Sequence, residues 1–154
     1  HGSMLNAEAI NLMKEKGTFL VPTSYVPESL DLDALPPITA LKAREITPQM
    51  KESHRRAVKA GVKIAFGADA GVFPHGQNAK EFAALITVGM KPIEAIRSAT
   101  IYAADLLDIE DRATLKPGKL ADIIAVSGNP LVDVTVLENV AFVMKAGRVY
   151  KRPN

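Results

Sequence analysis

Cysteine is absent from the 154 residues, which excludes disulfides and thiolate ligands. Any metal would have to be held by His, Asp, Glu or a modified Lys. Aromatic residues make up only 5%, and 19 Lys and Arg are scattered among 17 Asp and Glu for a net charge of +2. With no basic stripe and few rings to stack on bases, nucleic acid is not an expected partner. No apolar run approaches the length of a membrane-spanning helix, so no membrane partner is expected either. No secretory leader is recognisable, although one would precede His1 if the segment continues upstream; the cytoplasm is the expected location.

What is present is the balance of an ordinary globular domain, 47% hydrophobic and 23% charged. A chain of this length buries roughly two-thirds of its unfolded surface when it folds alone. The start, His1-Gly2-Ser3-Met4, reads either as a tag remnant ahead of a start methionine or as native sequence.

Helix and strand signals alternate. Asn6 is a helix N-cap, Ile10, Met13 and Leu5 share a face, and Gly17 is the stop. Residues 18–21 read as a short buried strand ended by Pro22. Residues 24–46, with Pro27, Pro36 and Pro37, read as irregular. Thr47 and Pro48 then read as N-cap and first residue of a helix reaching about Lys59. Residues 62–66 form a nearly continuous apolar strand, the pattern of one buried on both faces of a parallel sheet.

Further helices are expected over residues 78–88, from Pro92 to Ala99, and from a Thr100 cap to Leu107. The tail changes character. Residues 116–119 are a turn and residues 121–127 a strand, and residues 140–145 and 148–151 pair as a hairpin around Ala146-Gly147. The division expected is an α/β part over residues 1–115 and a small β-rich part over residues 116–154. Two or three strand–helix units cannot close an eight-stranded barrel, so the fold is either a small open sheet or part of something larger.

Directly after the strand at residues 62–66 comes Gly67-Ala68-Asp69-Ala70-Gly71, a glycine-flanked turn holding one carboxylate. The carboxyl ends of strands are where α/β folds place their chemistry, which makes Asp69 the first candidate. From residue type alone it is equally a turn or capping aspartate. His54, in a helical stripe with Met50, Ala57 and Val58, reads instead as a satisfied core histidine.

Three motifs, in this order, carry a resemblance. They are Gly-Val-Lys-Ile-Ala-Phe-Gly-Ala-Asp-Ala-Gly at residues 61–71, Pro-His-Gly-Gln-Asn at 74–78 with Glu81-Phe82, and Gly89-Met90 followed by Glu-Ala-Ile-Arg-Ser-Ala-Thr at 94–100. Together they resemble the amidohydrolase superfamily, in the branch of imidazolonepropionase-like enzymes and Xaa-Pro dipeptidases. Gly118-Lys119-Leu120-Ala121-Asp122-Ile123-Ile124 resembles that family's return strand into a β-sandwich subdomain. The unit from Leu5 to Thr23 resembles its segment after barrel strand six.

The resemblance implies the last two to three strands of a TIM-like (β/α)8 barrel plus part of the sandwich. It also implies a divalent metal, zinc first, held by a His-x-His pair, a carboxylated Lys, two further His and a final Asp. Asp69 matches that Asp, and His1 of His1-Gly2-Ser3 matches the last His. The His-x-His pair and the Lys have no counterpart.

On this reading Asp69 is metal ligand and proton shuttle and His1 a metal ligand. His75, on the loop after the strand, and Tyr25, just past residue 21, are candidate substrate contacts. Tyr25 reads equally as a ring covering the core. Asn78 and Glu81 read as capping and anchoring the next helix, and Asp122 as a charge paired with Lys119 or Arg97.

The expected activity is metal-dependent hydrolysis of C–N bonds in small amides or dipeptides, Xaa-Pro dipeptides first. Hydrolysis of a cyclic amide, or deamination, is the alternative. Because the ligand set is incomplete, this chain alone is expected to be an inactive fragment. It would self-associate or need a missing amino-terminal barrel portion. A non-catalytic module is the reading of a different class.

Overall fold

The computed structural model describes residues 1–153. Helix α1, Ala7–Lys16, begins as its sequence directs: Asn6 Oδ1 accepts from the backbone N–H of Ala9 at 2.8 Å, and Gly17 closes it at φ 64°. Ile10 is buried and Leu5 and Met13 pack beside it. Strand β1, Phe19–Leu20, follows.

After β1 the chain departs from the expected irregular stretch. A short α2, Val26–Ser29, leads to α3, Pro37–Ala60, a helix of 24 residues. Pro36 and Pro37 open this helix rather than exclude one, because first-turn N–H groups have no intrahelical partner in any case. Pro48 is therefore inside the helix and not at its start. It cannot donate to the turn before it, while the neighbouring Thr47 Oγ1 donates to Ala43 O at 2.7 Å. The first half of α3 is largely exposed; its second half buries Met50, Ser53, His54 and Ala57 at helical spacing.

Strand β2, Lys63–Ile64, lies parallel to β1, with Phe19 opposite Lys63 and Leu20 opposite Ile64. Ala65 N–H prolongs the pairing to Leu20 O at 3.0 Å, and Phe66 N–H reaches Ser98 O at 2.9 Å. Ile64 and Ala65, on opposite faces, are both buried, but the expected burial does not extend to Lys63. Lys63, at the start of the strand, is exposed, its ammonium over the Phe19 ring at 4.9 Å and 3.3 Å from Asp105. The core joins Ile10, Leu20, Ala57, Val62, Ile64, Leu85, Met90 and Ala95.

Helices α4 (Lys80–Thr87), α5 (Pro92–Ser98) and α6 (Ile101–Leu106) follow. Thr100 precedes α6 without capping it through its side chain; its hydroxyl donates back to Ile96 O at 2.9 Å. β3 (Ile123–Val126), β4 (Val140–Lys145) and β5 (Arg148–Lys151) form an antiparallel sheet in that order. The β4–β5 turn falls on Ala146-Gly147, both at positive φ, as a two-residue hairpin with the twist of its strands requires.

Asp122 pairs with neither Lys119 nor Arg97. Its Oδ1 accepts from Ala146 N–H at 2.8 Å and its Oδ2 lies 3.6 Å from Arg112, so the charge ties β3 to the hairpin turn. A 3-10 turn, Val134–Glu138, buries Val134 and Leu137 and packs on α4.

Candidate functional site

Because β1 and β2 are parallel neighbours, the segments leaving their carboxyl ends emerge at the same end of the sheet. Val21-Pro22-Thr23-Ser24-Tyr25 follows β1, and residues 65–69 follow β2. Each segment contains a non-glycine residue in the left-handed region, Thr23 at φ 51° and Asp69 at φ 52°. For a β-branched residue this conformation costs on the order of 1–3 kcal/mol and persists only where neighbours hold it. Gly67 lets the two segments approach, since a Cβ there would overlap the Val21 side chain.

His1 completes the constellation. Its Nδ1 meets Thr23 Oγ1 at 2.6 Å and its Nε2 stands 3.8 Å from Asp69 Oδ2. Both side chains are about half exposed, so the space between them is open to a ligand. The backbone of His1 is fixed from α3: His54 Nε2 donates to His1 O at 2.8 Å, and Ser53 Oγ donates to Gly2 O at 2.7 Å. Gly2, at φ 67°, lies against Leu20 so closely that a Cβ would collide with it. The backbone of His1 and Gly2 is thus held against the fold.

His54 is the satisfied core histidine expected from its helical stripe, 1% exposed. A carbonyl only accepts, so Nε2 carries the proton, and the bare Nδ1 accepts from Ser24 Oγ at 3.0 Å. Burial, and then the positive α-amino group of His1, lower its pKa to about 4 and keep it neutral.

Glu81 differs from the expectation of a helix-anchoring residue. Helix α4 begins at Lys80 without a side-chain cap, and Asn78 Oδ1 accepts instead from Gly76 N–H at 3.2 Å. The Glu81 carboxylate is fully buried and reaches across to the loop after β1. Oε1 accepts from Ser24 N–H at 2.8 Å and Oε2 from Tyr25 N–H at 2.7 Å. Burial outweighs those two donors and, with the nearby charge of Glu28, pushes its pKa up to about 7.

Tyr25 sits edge-on to Phe73 with ring centroids 4.9 Å apart, Lys80 lies over its other side, and its hydroxyl donates to Gln77 Oε1 at 3.3 Å. The ring thus helps cover buried Phe73 while its hydroxyl remains at the rim. His75 is exposed on the turn that Gln77 N–H closes to Pro74 O. The structure brings His1 and Asp69 together, whereas Tyr25 is joined to the Phe73–Gln77 loop and His75 projects from that loop.

Zinc holds imidazole nitrogen and carboxylate oxygen at about 2.1 Å, so donor atoms of one ion stand up to about 4.2 Å apart. The 3.8 Å between His1 Nε2 and Asp69 Oδ2 is within that reach, and imidazole nitrogen and carboxylate oxygen are both zinc donors. The pair therefore fits two positions of a zinc shell. Among the described residues no group of three or more His, Asp or Glu is placed to hold an ion.

The amidohydrolase family model matches residues 1–150. The chain is 35% identical to an ochratoxinase of Aspergillus niger over 99% of its own length and 33% of the fungal protein's. It superposes on a crystal structure of a Xaa-Pro dipeptidase with methionine bound in its active site, with TM-score 0.91 and 46% identity, covering 98% of this chain and 39% of that one. A putative prolidase from Bifidobacterium longum matches with TM-score 0.86 and 29% identity, over 100% and 42%. The chain therefore spans about a third of the curated ochratoxinase and two-fifths of those two structures.

Proposed function

Starting from the fact that the chain belongs to the amidohydrolase family, we propose that it supplies one side of a metal-dependent site for hydrolysing C–N bonds in small amides or dipeptides. In this reading β1 and β2 are the last two strands of a (β/α)8 barrel within residues 1–115, and residues 116–154 are part of an appended β-sandwich. The solvent-accessible surface of 9620 Å² supports incompleteness, since a compact folded chain of 16.5 kDa exposes about 7,500 Å². The excess, roughly 2,000 Å², is the scale of surface one partner buries in an obligate interface.

The observation that carries the reading is the convergence of His1 Nε2 and Asp69 Oδ2 at the carboxyl ends of neighbouring parallel strands. Those two side chains would hold a divalent metal, zinc by donor chemistry, with the remaining ligands contributed from outside this chain. When bound, the metal would supply Lewis-acid polarisation and a water whose pKa falls toward about 7. Asp69 accepts the proton of the attacking water and delivers it to the departing amine nitrogen, so one carboxylate serves both halves of the reaction. Tyr25 and His75 border the entrance and contact substrate. The likeness to a Xaa-Pro dipeptidase at 46% identity makes Xaa-Pro dipeptides the first substrates to test.

The test is Asp69→Asn in the polypeptide with its barrel completed, assayed on Xaa-Pro dipeptides and simple amides. Loss of a shuttle of this kind lowers kcat by about 10²–10⁴-fold. A variant within threefold of the parent removes Asp69 from the chemistry and with it this reading.

A further inference from the structure

Glu81 is a fully buried carboxylate on α4 whose two oxygens are both spent on one short loop, Ser24 N–H at 2.8 Å and Tyr25 N–H at 2.7 Å. Nothing in the hydrolytic scheme above uses it. Burying an acid is costly, and the group is retained here by backbone donors alone, with no cation paired to it in the structure. The loop it grips begins at Thr23, whose left-handed backbone an L-residue with a branched β-carbon does not adopt unaided. Fixing the two consecutive amides immediately after Thr23 sets the direction of its carbonyl and hence its ψ.

The hydroxyl of Thr23 then stands 2.6 Å from Nδ1 of His1. In the tautomer that leaves Nε2 bare, Nδ1–H donates to this hydroxyl, and the bare nitrogen is the one facing Asp69. His54 holds the same loop from its other side through Ser24 Oγ and holds His1 through its carbonyl, so ring and loop share one frame.

We propose that Glu81 is a positioning residue for this site. By clamping Ser24 and Tyr25 it holds Thr23 in the left-handed conformation from which its hydroxyl turns His1 Nε2 toward Asp69. The inference rests on the reading that His1 and Asp69 act on one ligand, and its first tests need no ligand at all. Hydrogen bonds from outer groups to a ligating histidine fix its tautomer and ring orientation, and losing them weakens metal binding by about 10–100-fold.

The experiment follows three signals in the 154-residue chain by NMR at about pH 8, where Glu81 is ionised: amide exchange at Ser24 and Tyr25, the ring ¹⁵N shifts of His1, and amide exchange at Ala65 as an internal reference. In the wild-type protein the Ser24 and Tyr25 amides are expected to be as protected as that of Ala65, and the His1 ring ¹⁵N shifts to differ from those of a free imidazole. Glu81→Gln, which keeps a single acceptor, is expected to speed exchange at one or both loop amides at least about tenfold and to move the His1 tautomer ratio toward that of a free imidazole.

Thr23→Val is expected to shift His1 in the same way, and Thr23→Ser to leave it unchanged. A buried residue with only a packing role would lower the melting temperature of Glu81→Gln without moving the His1 tautomer, and that result overturns the proposal. So does free exchange of both amides in the wild-type chain while Ala65 stays protected, which decides the matter even if no Glu81 variant folds. In the completed polypeptide, titration with Zn²⁺ alone is expected to show the 10–100-fold loss for Glu81→Gln. If the His1 shifts behave as stated but wild-type protein takes up no Zn²⁺, the clamp stands and the hydrolytic reading fails.

Discussion

His1 Nε2 faces Asp69 Oδ2 at 3.8 Å across the ends of two parallel strands, and no third acidic or imidazole group joins them among the described residues. Two ligands are one short of what a catalytic zinc normally takes from protein. The 154-residue chain by itself is therefore expected to hold less than one zinc per molecule after dialysis and to hydrolyse neither dipeptides nor amides. Elemental analysis with an activity assay checks this. Stoichiometric metal with turnover in this chain alone would show that it supplies a full shell by itself or as an oligomer.

The two buried titratable groups pull stability in opposite directions with pH. His54 has a folded pKa of about 4 against 6.5 unfolded. Below 6.5 the unfolded chain takes up a proton that the native state refuses, so this contribution is full above 6.5 and is lost as pH falls toward 4. Glu81 has a folded pKa of about 7 against 4.5 unfolded. Native protein keeps the proton while unfolded chain releases it, so this contribution is full below 4.5 and is lost as pH rises toward 7.

The windows overlap from 4.5 to 6.5, where the two slopes cancel and the wild-type melting temperature should be nearly flat. His54→Gln should leave a melting temperature that falls with rising pH across that window, and Glu81→Gln one that rises. Burial is the largest cause in both; the α-amino group follows it for His54, and the Tyr25 and Ser24 amides, then Glu28, follow it for Glu81. Thermal melts at half-unit pH steps decide the signs.

Gly67 carries the close approach of the two strand ends, and a methyl group there meets the Val21 side chain. Gly67→Ala should destabilise the fold by about 1–3 kcal/mol, the ordinary cost of overpacking, because the Val21 side chain must shift. Gly67→Ala with Val21→Ala should recover a good part of it, because the methyl then has space. Denaturant midpoints of the two variants test this; equal midpoints would mean that the obstruction is not Val21.

Much of this arrangement was legible from residue types. The caps of α1, the β4–β5 hairpin on Ala146-Gly147 and the core role of His54 follow from local rules, and the structure shows them. What local rules missed has a common cause. Pro36 and Pro37 read as part of an irregular stretch and Pro48 as a helix start, yet the first two sit where a helix needs no N–H, and the third is tolerated beside a helix half already held by Met50, Ser53, His54 and Ala57.

The Glu81 clamp spans more than fifty residues, so no spacing rule reveals it. Its one sequence signal is an acid placed immediately ahead of the apolar run Phe82-Ala83-Ala84-Leu85-Ile86. Thr23 and Ser24 carried no signal at all, because a left-handed threonine is a product of the tertiary structure that holds it.

Pro48 offers a test of how far α3 is a helix in its own right. It sits mid-helix and exposed, removes one backbone hydrogen bond, and costs about 3 kcal/mol relative to a good helix former. Replacing it with alanine restores an N–H donor where the ladder lacks one. It also loosens the unfolded chain, a counter-effect of about 0.4–1 kcal/mol. Pro48→Ala should therefore stabilise by about 2 kcal/mol, read as a higher denaturant midpoint with an unchanged slope. If residues 37–47 were instead an extended segment leading into a helix that starts at Pro48, the proline would occupy its best position and the same substitution would destabilise. The sign of the shift distinguishes the continuous helix from the one that Thr47 and Pro48 suggest on their own.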